Sequence, residues 1–175
     1  MVFATHLETE RLLLRPLWRD DVDDMFAIIG DPVAMQYYPR TFTREDAVDW
    51  IERNLLRYER DGHSFMAVVL KTSGQMIGDC GLVLQEVEGE PVVEVGYHFR
   101  RDCWGHGYAT EAARACMDYA FRELAVEKIV SLIVPENLPS RRVAERNGMK
   151  VEKQVTFHDL PHLMYAMKRE DYAQA

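Results

Sequence analysis

"EVGYHFRRDCWGHGYATEAARACMDYAF" (Glu94–Phe121) decides how the chain folds. It begins as an alternating apolar strand, passes through Gly105 and Gly107, and continues as a helix rich in small residues. Ala109, Ala112, Ala113, Cys116, Met117, Ala120, Phe121 and Leu124 keep helical i, i+3, i+4 spacing without a break. Alanines crowd the N-terminal half, so the helix can lie close against the strand it follows. The glycines lack Cβ, which lets the turn curl tightly and expose consecutive N–H groups. A helix N-terminus adds unsatisfied donors and a positive dipole end. Together they form an anion site fitted to a pyrophosphate, with Arg100 and Arg101 at its edge and Trp104 held inside the turn. A two-glycine turn by itself serves a plain strand-to-helix connection equally well. Glu111, acidic in the first helical turn, is explained by the dipole alone.

Outward from that stretch, "ERLLLRPL" (Glu10–Leu17) predicts a first strand. Val22, Met25, Phe26 and Ile29 predict a helix after it, and Val48, Ile51, Leu55 and Tyr58 a second one, capped by Thr43 with Asp46 three positions on. "SFMAVVL" and "MIGDCGLVLQEV" read as strands joined by "TSGQ", and "EGEP" turns the chain into "VVEVGYHF". Beyond the glycine helix, "KIVSLIVP" is a short apolar run expected to be buried on both faces. "NLPSRRVAERNG" predicts a short helix capped by Asn137 and stopped at Gly148. "MKVEKQVTF" and "HLMYAMKR" close as a strand pair. Seven strands and four helices in this order predict an α+β domain with a mixed sheet, not a regular βα alternation.

The chain has 175 residues, which predicts one domain spanning positions 1–175. Hydrophobic residues make up 47% and charged residues 29%, a globular rather than a disordered balance. A net charge of −8 argues against nucleic acid as a partner, because that needs a basic face, yet allows a local cationic site. An acidic exterior attracts a cationic acceptor. No apolar run is long enough to span a membrane, and "MVFATHLETERLLLR" lacks a signal-peptide core. Cys80, Cys103 and Cys116 are odd in number and widely spaced, as reduced thiols are in a cytoplasmic protein. His158 and His162 have metal-like spacing, but Pro161 forbids the helix that spacing would need, so no metal is expected.

"RRDCWGHGYATEA" together with "NLPSRRVAERNGM" resembles the GNAT superfamily of acetyl-CoA-dependent N-acetyltransferases, especially the RimJ/RimL branch that acetylates ribosomal-protein N-termini. The likeness runs from "ETERLLLRPL" to "HLMYAMKR". It implies a mostly antiparallel seven-stranded sheet whose fourth and fifth strands part to admit the pantetheine arm. It also implies that the main chain at Tyr97, His98 and Phe99 contacts acetyl-pantetheine. Gly105, His106, Gly107, Tyr108, Ala109 and Thr110 would hold the diphosphate, and Asn137 the pantetheine amides. Arg142 and Arg146 are candidates for the nucleotide end, or simply a solvated helix face. Two positions depart from the family. Asp102 stands where a glutamine or arginine is usual, and Ala144 where many members carry the tyrosine that protonates the departing thiolate.

Acetyl transfer to an amine needs a neutral amine, a stabilised oxyanion and a proton for sulfur. Ser140, three residues after Asn137, is the candidate acid, with helix capping as its alternative role. Glu94 and His98 share one strand face, with Gly96 leaving room between them, and are candidate bases. Their alternatives are a solvated strand position and a buried, hydrogen-bonded ring. Tyr37, Tyr38 and Phe42 are candidates for an acceptor wall or for packing. Cys103 and His106 mimic a nucleophile pair, but direct transfer needs no acyl-cysteine. A dinucleotide-binding unit is disfavoured because Thr110 replaces its third glycine. An acyl-CoA-binding sensor without turnover stays open, as does the identity of the amine acceptor. So does assembly as a homodimer.

Overall fold

The structure is a computed structural model that describes residues 6–172. Eight strands form one sheet in the order β1-β2-β3-β4-β5-β6-β8-β7. The predicted first strand is in fact two, β1 (Leu7–Glu8) and β2 (Leu12–Pro16), so among the described residues the sheet has eight strands rather than seven. Thr9 makes the reversal: its N–H donates to the Leu12 carbonyl at 3.0 Å, and its hydroxyl accepts the Leu12 N–H at 3.0 Å. Hydrophobic pattern alone does not reveal a side chain that closes a turn.

β3 (Phe65–Leu70), β4 (Gln75–Val87) and β5 (Glu90–Phe99) are antiparallel neighbours. β6 (Lys128–Ile133) meets β5 in parallel and β8 (Leu160–Lys168) antiparallel, and β7 (Lys150–Phe157) forms the far edge. As its apolar run predicts, β6 is central: Ile129, Val130, Ser131 and Ile133 are all buried.

α1 (Val22–Ile29) and α2 (Arg44–Asp61) cover one face of the sheet, over Leu17, Phe65, Ala67, Met76 and Val83. Both helices are rotated from the predicted stripes. Ile28 is buried while Phe26 is partly exposed, and Ala47 and Asn54 are buried while Val48 is exposed. The rotation brings Trp50 and Asn54 to the sheet, where Asp79 and Ser64 supply polar partners. Side chains of intermediate polarity go where partners exist, and sequence spacing does not show partners.

α3 (Tyr108–Arg122) packs on the other face with the predicted stripe: Ala112, Ala113, Cys116, Met117, Ala120 and Phe121 are buried against Leu14, Val68, Cys80, Leu82 and Val95. α4 (Leu138–Arg146) is capped by Asn137, whose Oδ1 accepts the Ser140 N–H at 3.2 Å, and is followed by Gly148 at φ +81°. A fifth helix, α5 (Arg169–Tyr172), adds one turn to the four expected.

Candidate active site

Where β5 and β6 meet, only Val93↔Ile129 and Glu94↔Val130 are paired. Beyond Glu94 the strands part, so the β6-facing edge of residues 95–99 has no strand partner while the opposite edge stays bonded to β4. Glu94 sits at the fork. Its carboxylate accepts the Leu132 N–H at 3.3 Å and the Gln85 side-chain amide at 2.9 Å. Burial raises its pKa despite those bonds, which keeps it nearer neutrality than an ordinary glutamate. Glu94 is therefore not a solvated strand position. The fork opens to both faces of the sheet, because side chains alternate along β5.

On the α3 face the turn after β5 runs through Gly105 and Gly107, at φ +79° and +80°. Gly107 is the N-cap residue of α3, and no side chain caps this helix end. Thr43 and Asn137 do so for α2 and α4. The first-turn N–H groups of Tyr108, Ala109 and Thr110 are thus available to an anion. Glycine adopts this positive φ without strain, and donors gathered in this way suit an anion. The Thr110 hydroxyl is buried without a partner and its carbonyl accepts from Asn147 at 3.2 Å, so its contribution here is its N–H.

The cation beside this turn comes from the far end of the sequence, at Arg11. Arg11 donates to the His106 carbonyl at 2.9 Å, lies over the Tyr108 ring at 4.6 Å, and pairs with Glu111 at 2.6 Å. The Thr9 hydroxyl donates to the same carboxylate at 2.6 Å. Burial acts to raise the Glu111 pKa, but the hydrogen bonds and charge from Thr9 and Arg11 outweigh it and hold the carboxyl low. Glu111 is therefore a tether between the β1–β2 turn and the start of α3, and the dipole is not its whole explanation. Arg100 and Arg101 are committed elsewhere, to Asp102 at 2.8 Å and Asp31 at 3.1 Å. Trp104 is not enclosed by the turn. It is partly exposed, and its indole N–H holds the Phe99 carbonyl at 2.9 Å.

Across the fork on this face stands Ser140. Its hydroxyl donates to Tyr97 Oη at 3.1 Å, and the Tyr97 hydroxyl donates to the Ser140 carbonyl at 2.9 Å. Helix capping belongs to Asn137, so the Ser140 hydroxyl is not a cap. Burial raises the Tyr97 pKa, opposed by hydrogen bonding from Ser140 and Ser131, so this phenol stays protonated. Ala144, where the family's tyrosine is usual, is buried in the core. Arg142 and Arg146 are exposed and form no ion pair among the described residues.

On the α1/α2 face, His98 joins a polar chain enclosed by aromatic rings. Its Nδ1 is 2.7 Å from Asp79 Oδ1, and its Nε2 is 2.6 Å from the Tyr38 hydroxyl. The Trp50 indole donates to Asp79 Oδ2 at 2.9 Å. Trp50, Phe65 and Tyr38 surround the imidazole, with ring centroids 5.1, 5.5 and 5.6 Å away. His98 and Glu94 were legible as candidates; Asp79 and Trp50 were not, because their partners lie on other elements.

The predicted set thus divides by face. The glycine turn, Tyr97, Asn137 and Ser140 gather on the α3/α4 side, and Glu94 and His98 on the α1/α2 side, with the fork between. Cys103 and His106 do not form a nucleophile pair: His106 Nδ1 lies 3.3 Å from the Cys103 carbonyl, while burial, with Asp102 beside it, raises the Cys103 thiol pKa. His158 and Asp159 form the β7–β8 turn at φ +48° and +61°, and His162 Nδ1 lies 3.0 Å from the Leu160 carbonyl. No helix among the described residues is long and apolar enough to cross a membrane.

Residues 11–150 match the acetyltransferase (GNAT) domain. The Bacillus subtilis protein YkkB is similar to this chain, 38% identical over 165 residues, covering 94% of this chain and 96% of its own length. The N-acetyltransferase YnaD of Bacillus subtilis is 33% identical over 148 residues, covering 84% of each chain. The structure of Mycobacterium smegmatis RimJ in complex with CoA-disulfide superposes with a TM-score of 0.74, covering 94% of this chain and 85% of that one. At 19% identity the likeness is one of fold.

Proposed function

We propose, from the premise that the chain belongs to the acetyltransferase (GNAT) family and is an N-acetyltransferase, that it moves an acetyl group from acetyl-CoA directly to a primary amine. The acceptor is a peptide N-terminus or a small amine, and the reaction runs in the cytoplasm. The observation that carries this is the forked β5/β6 edge lying beside the uncapped N-terminus of α3. Acetyl-CoA supplies the activated acyl group as a thioester. The N–H groups of Gly105 to Thr110 hold its diphosphate, with Arg11 as the adjacent cation and Asn137 at the pantetheine amides. Exposed, unpaired Arg142 suits the nucleotide end.

Main-chain donors at Tyr97–Phe99 stabilise the oxyanion, because an edge without a strand partner keeps such donors free. Ser140 serves the departing sulfur, with Tyr97 buffering its proton. His98 takes the proton from the amine side. Glu94, whose two oxygens accept from Gln85 and Leu132, lines the fork where an ammonium arrives. Separation onto two faces suits the chemistry: acid and base never exchange their proton with each other.

Calorimetric titration with coenzyme A, followed by an intact-mass screen for acetylated products over peptides and small amines, tests the proposal. Saturable binding and thiol release coupled to product are expected. Binding without thiol release would favour an acyl-CoA sensor, which the buried Ala144 in place of tyrosine makes the second reading. Ser140→Ala is expected to lower kcat about threefold to tenfold, since a thiolate near its ordinary pKa needs little help. Unchanged kcat would remove Ser140 from the mechanism.

A further inference from the structure

We propose that Tyr38 is the group that meets the acceptor amine, and that it passes the amine's proton to His98, which Asp79 holds in the tautomer able to receive it. The inference rests on the acetyl-transfer reading and adds the proton's route.

Exposure decides which member of the chain an acceptor can touch. The side chains of His98 and Asp79 are 9% and 0% exposed, whereas Tyr38, on the loop between α1 and α2, is 40% exposed. Of these three, Tyr38 is the one open to solvent, so an amine arrives beside its side chain before it reaches the imidazole.

Hydrogen-bond inventory then orients the chain. An indole only donates, so Asp79 Oδ2 accepts from Trp50. With Asp79 as a carboxylate, its Oδ1 also accepts, which requires the ring proton to sit on Nδ1 of His98. In the neutral ring Nε2 then carries the lone pair, and the Tyr38 hydroxyl donates to it at 2.6 Å. Tyr38 Oη keeps free acceptor capacity for an incoming N–H. The logic is that of a hydroxyl, imidazole and carboxylate in line, with a phenol in the outer position. Although its ring is partly exposed, the Tyr38 hydroxyl is turned inward to His98, and its desolvation there, with Glu94 and Asp79 nearby, raises its pKa, so it works by relaying protons and not by resting as a phenolate.

In the step, an ammonium proton moves to Tyr38 Oη as the Tyr38 proton moves to His98 Nε2, and Asp79 meets the charge the ring gains. The freed nitrogen lone pair forms the N–C bond while the thioester C–S bond breaks. The imidazolium returns its proton through Tyr38 to water, the same relay then takes the second N–H proton that the new amide must lose, and the sulfur takes its proton from Ser140, which water reprotonates. Tyr38 is the catalytic residue; Asp79 and Trp50 are positioning residues.

Two measurements test this. In nitrogen-15 NMR of the acceptor-free protein at mildly alkaline pH, with signals assigned through His98→Ala, a protonated Nδ1 and a bare Nε2 are expected, and Asp79→Asn should disturb that tautomer. A protonated Nε2 with a bare Nδ1 would overturn the relay. Thiol release from acetyl-CoA is then compared for benzylamine, an ammonium near neutral pH, and O-benzylhydroxylamine, which is already neutral.

Tyr38→Phe should lower kcat about 100-fold with benzylamine and leave O-benzylhydroxylamine within about threefold, the size of a missing base. Equal losses on both amines would mean that Tyr38 only packs, and would refute the route. Should the unsubstituted protein turn over neither amine, the acetyl-transfer reading suffers and the NMR result alone decides the relay.

Discussion

Gly107→Val is expected to weaken coenzyme A binding by about 10- to 100-fold, the equivalent of roughly 1–3 kcal/mol of backbone strain and displaced donors. Gly107 sits at φ +80° as the N-cap of α3, a conformation a β-branched residue adopts only at a cost. Relief of that strain rotates the first-turn N–H groups away from the anion they share. A Cβ at this position lies 3.6 Å from Arg11 Nη2, an ordinary contact, so backbone strain and not a clash carries the effect. Gly74→Val is the control. It carries the same kind of strain at φ +70° in the β3–β4 turn, so it should lower Tm comparably while leaving the coenzyme A Kd alone. Calorimetric titration of both variants, with Tm measured alongside, decides the matter. Equal loss of affinity in the two would mean the glycine turn is not the diphosphate site.

Gly81→Ala should destabilise the protein by about 3 kcal/mol, a loss at the upper end of ordinary overpacking. At roughly 2–4 °C per kcal/mol for a chain of this size, Tm falls by about 6–12 °C. A Cβ at Gly81 would lie 2.5 Å from Phe65 Cα and closer still to the Ser64 carbonyl oxygen, so the obstruction is main chain of the adjoining strand and cannot swing aside. Gly96→Ala differs in kind. There a Cβ meets only the tip of the Phe65 ring, at 2.8 Å, and a ring can tilt. That ring packs on His98 at 5.5 Å, so Gly96→Ala should cost less Tm than Gly81→Ala but more kcat. Thermal denaturation and acetyl transfer measured on both variants separate the two effects; a Tm for Gly81→Ala within 2 °C of the parent would contradict the first.

The elements legible in the sequence were those whose signal is local. The α3 stripe, the Asn137 cap, Gly148 past the end of α4 and the apolar run of β6 all depend on neighbours within one or two turns, and all stand as read. The glycine turn was legible for the same reason, since positive φ is a property of a single residue. The rotation of α1 and α2 was not, because Phe26 and Val48 are as apolar as the residues buried in their place and only the sheet opposite chooses between them.

The sequence by itself determined that a strand passes through a glycine turn into an alanine-lined helix, and which residues of β5 point the same way, because backbone stereochemistry and a period of two need no distant partner. Tertiary structure alone decided which charges lie beside that turn. Arg100 and Arg101, adjacent in sequence, pair with Asp102 and Asp31, while Arg11, 96 positions before Gly107, pairs with Glu111 and lies against the turn. It likewise decided that His98 has Asp79 behind it and Tyr38 before it. Ion pairs and hydrogen bonds form between side chains a few ångströms apart whatever their separation along the chain, so only the folded arrangement fixes which groups are spent and which remain free to act.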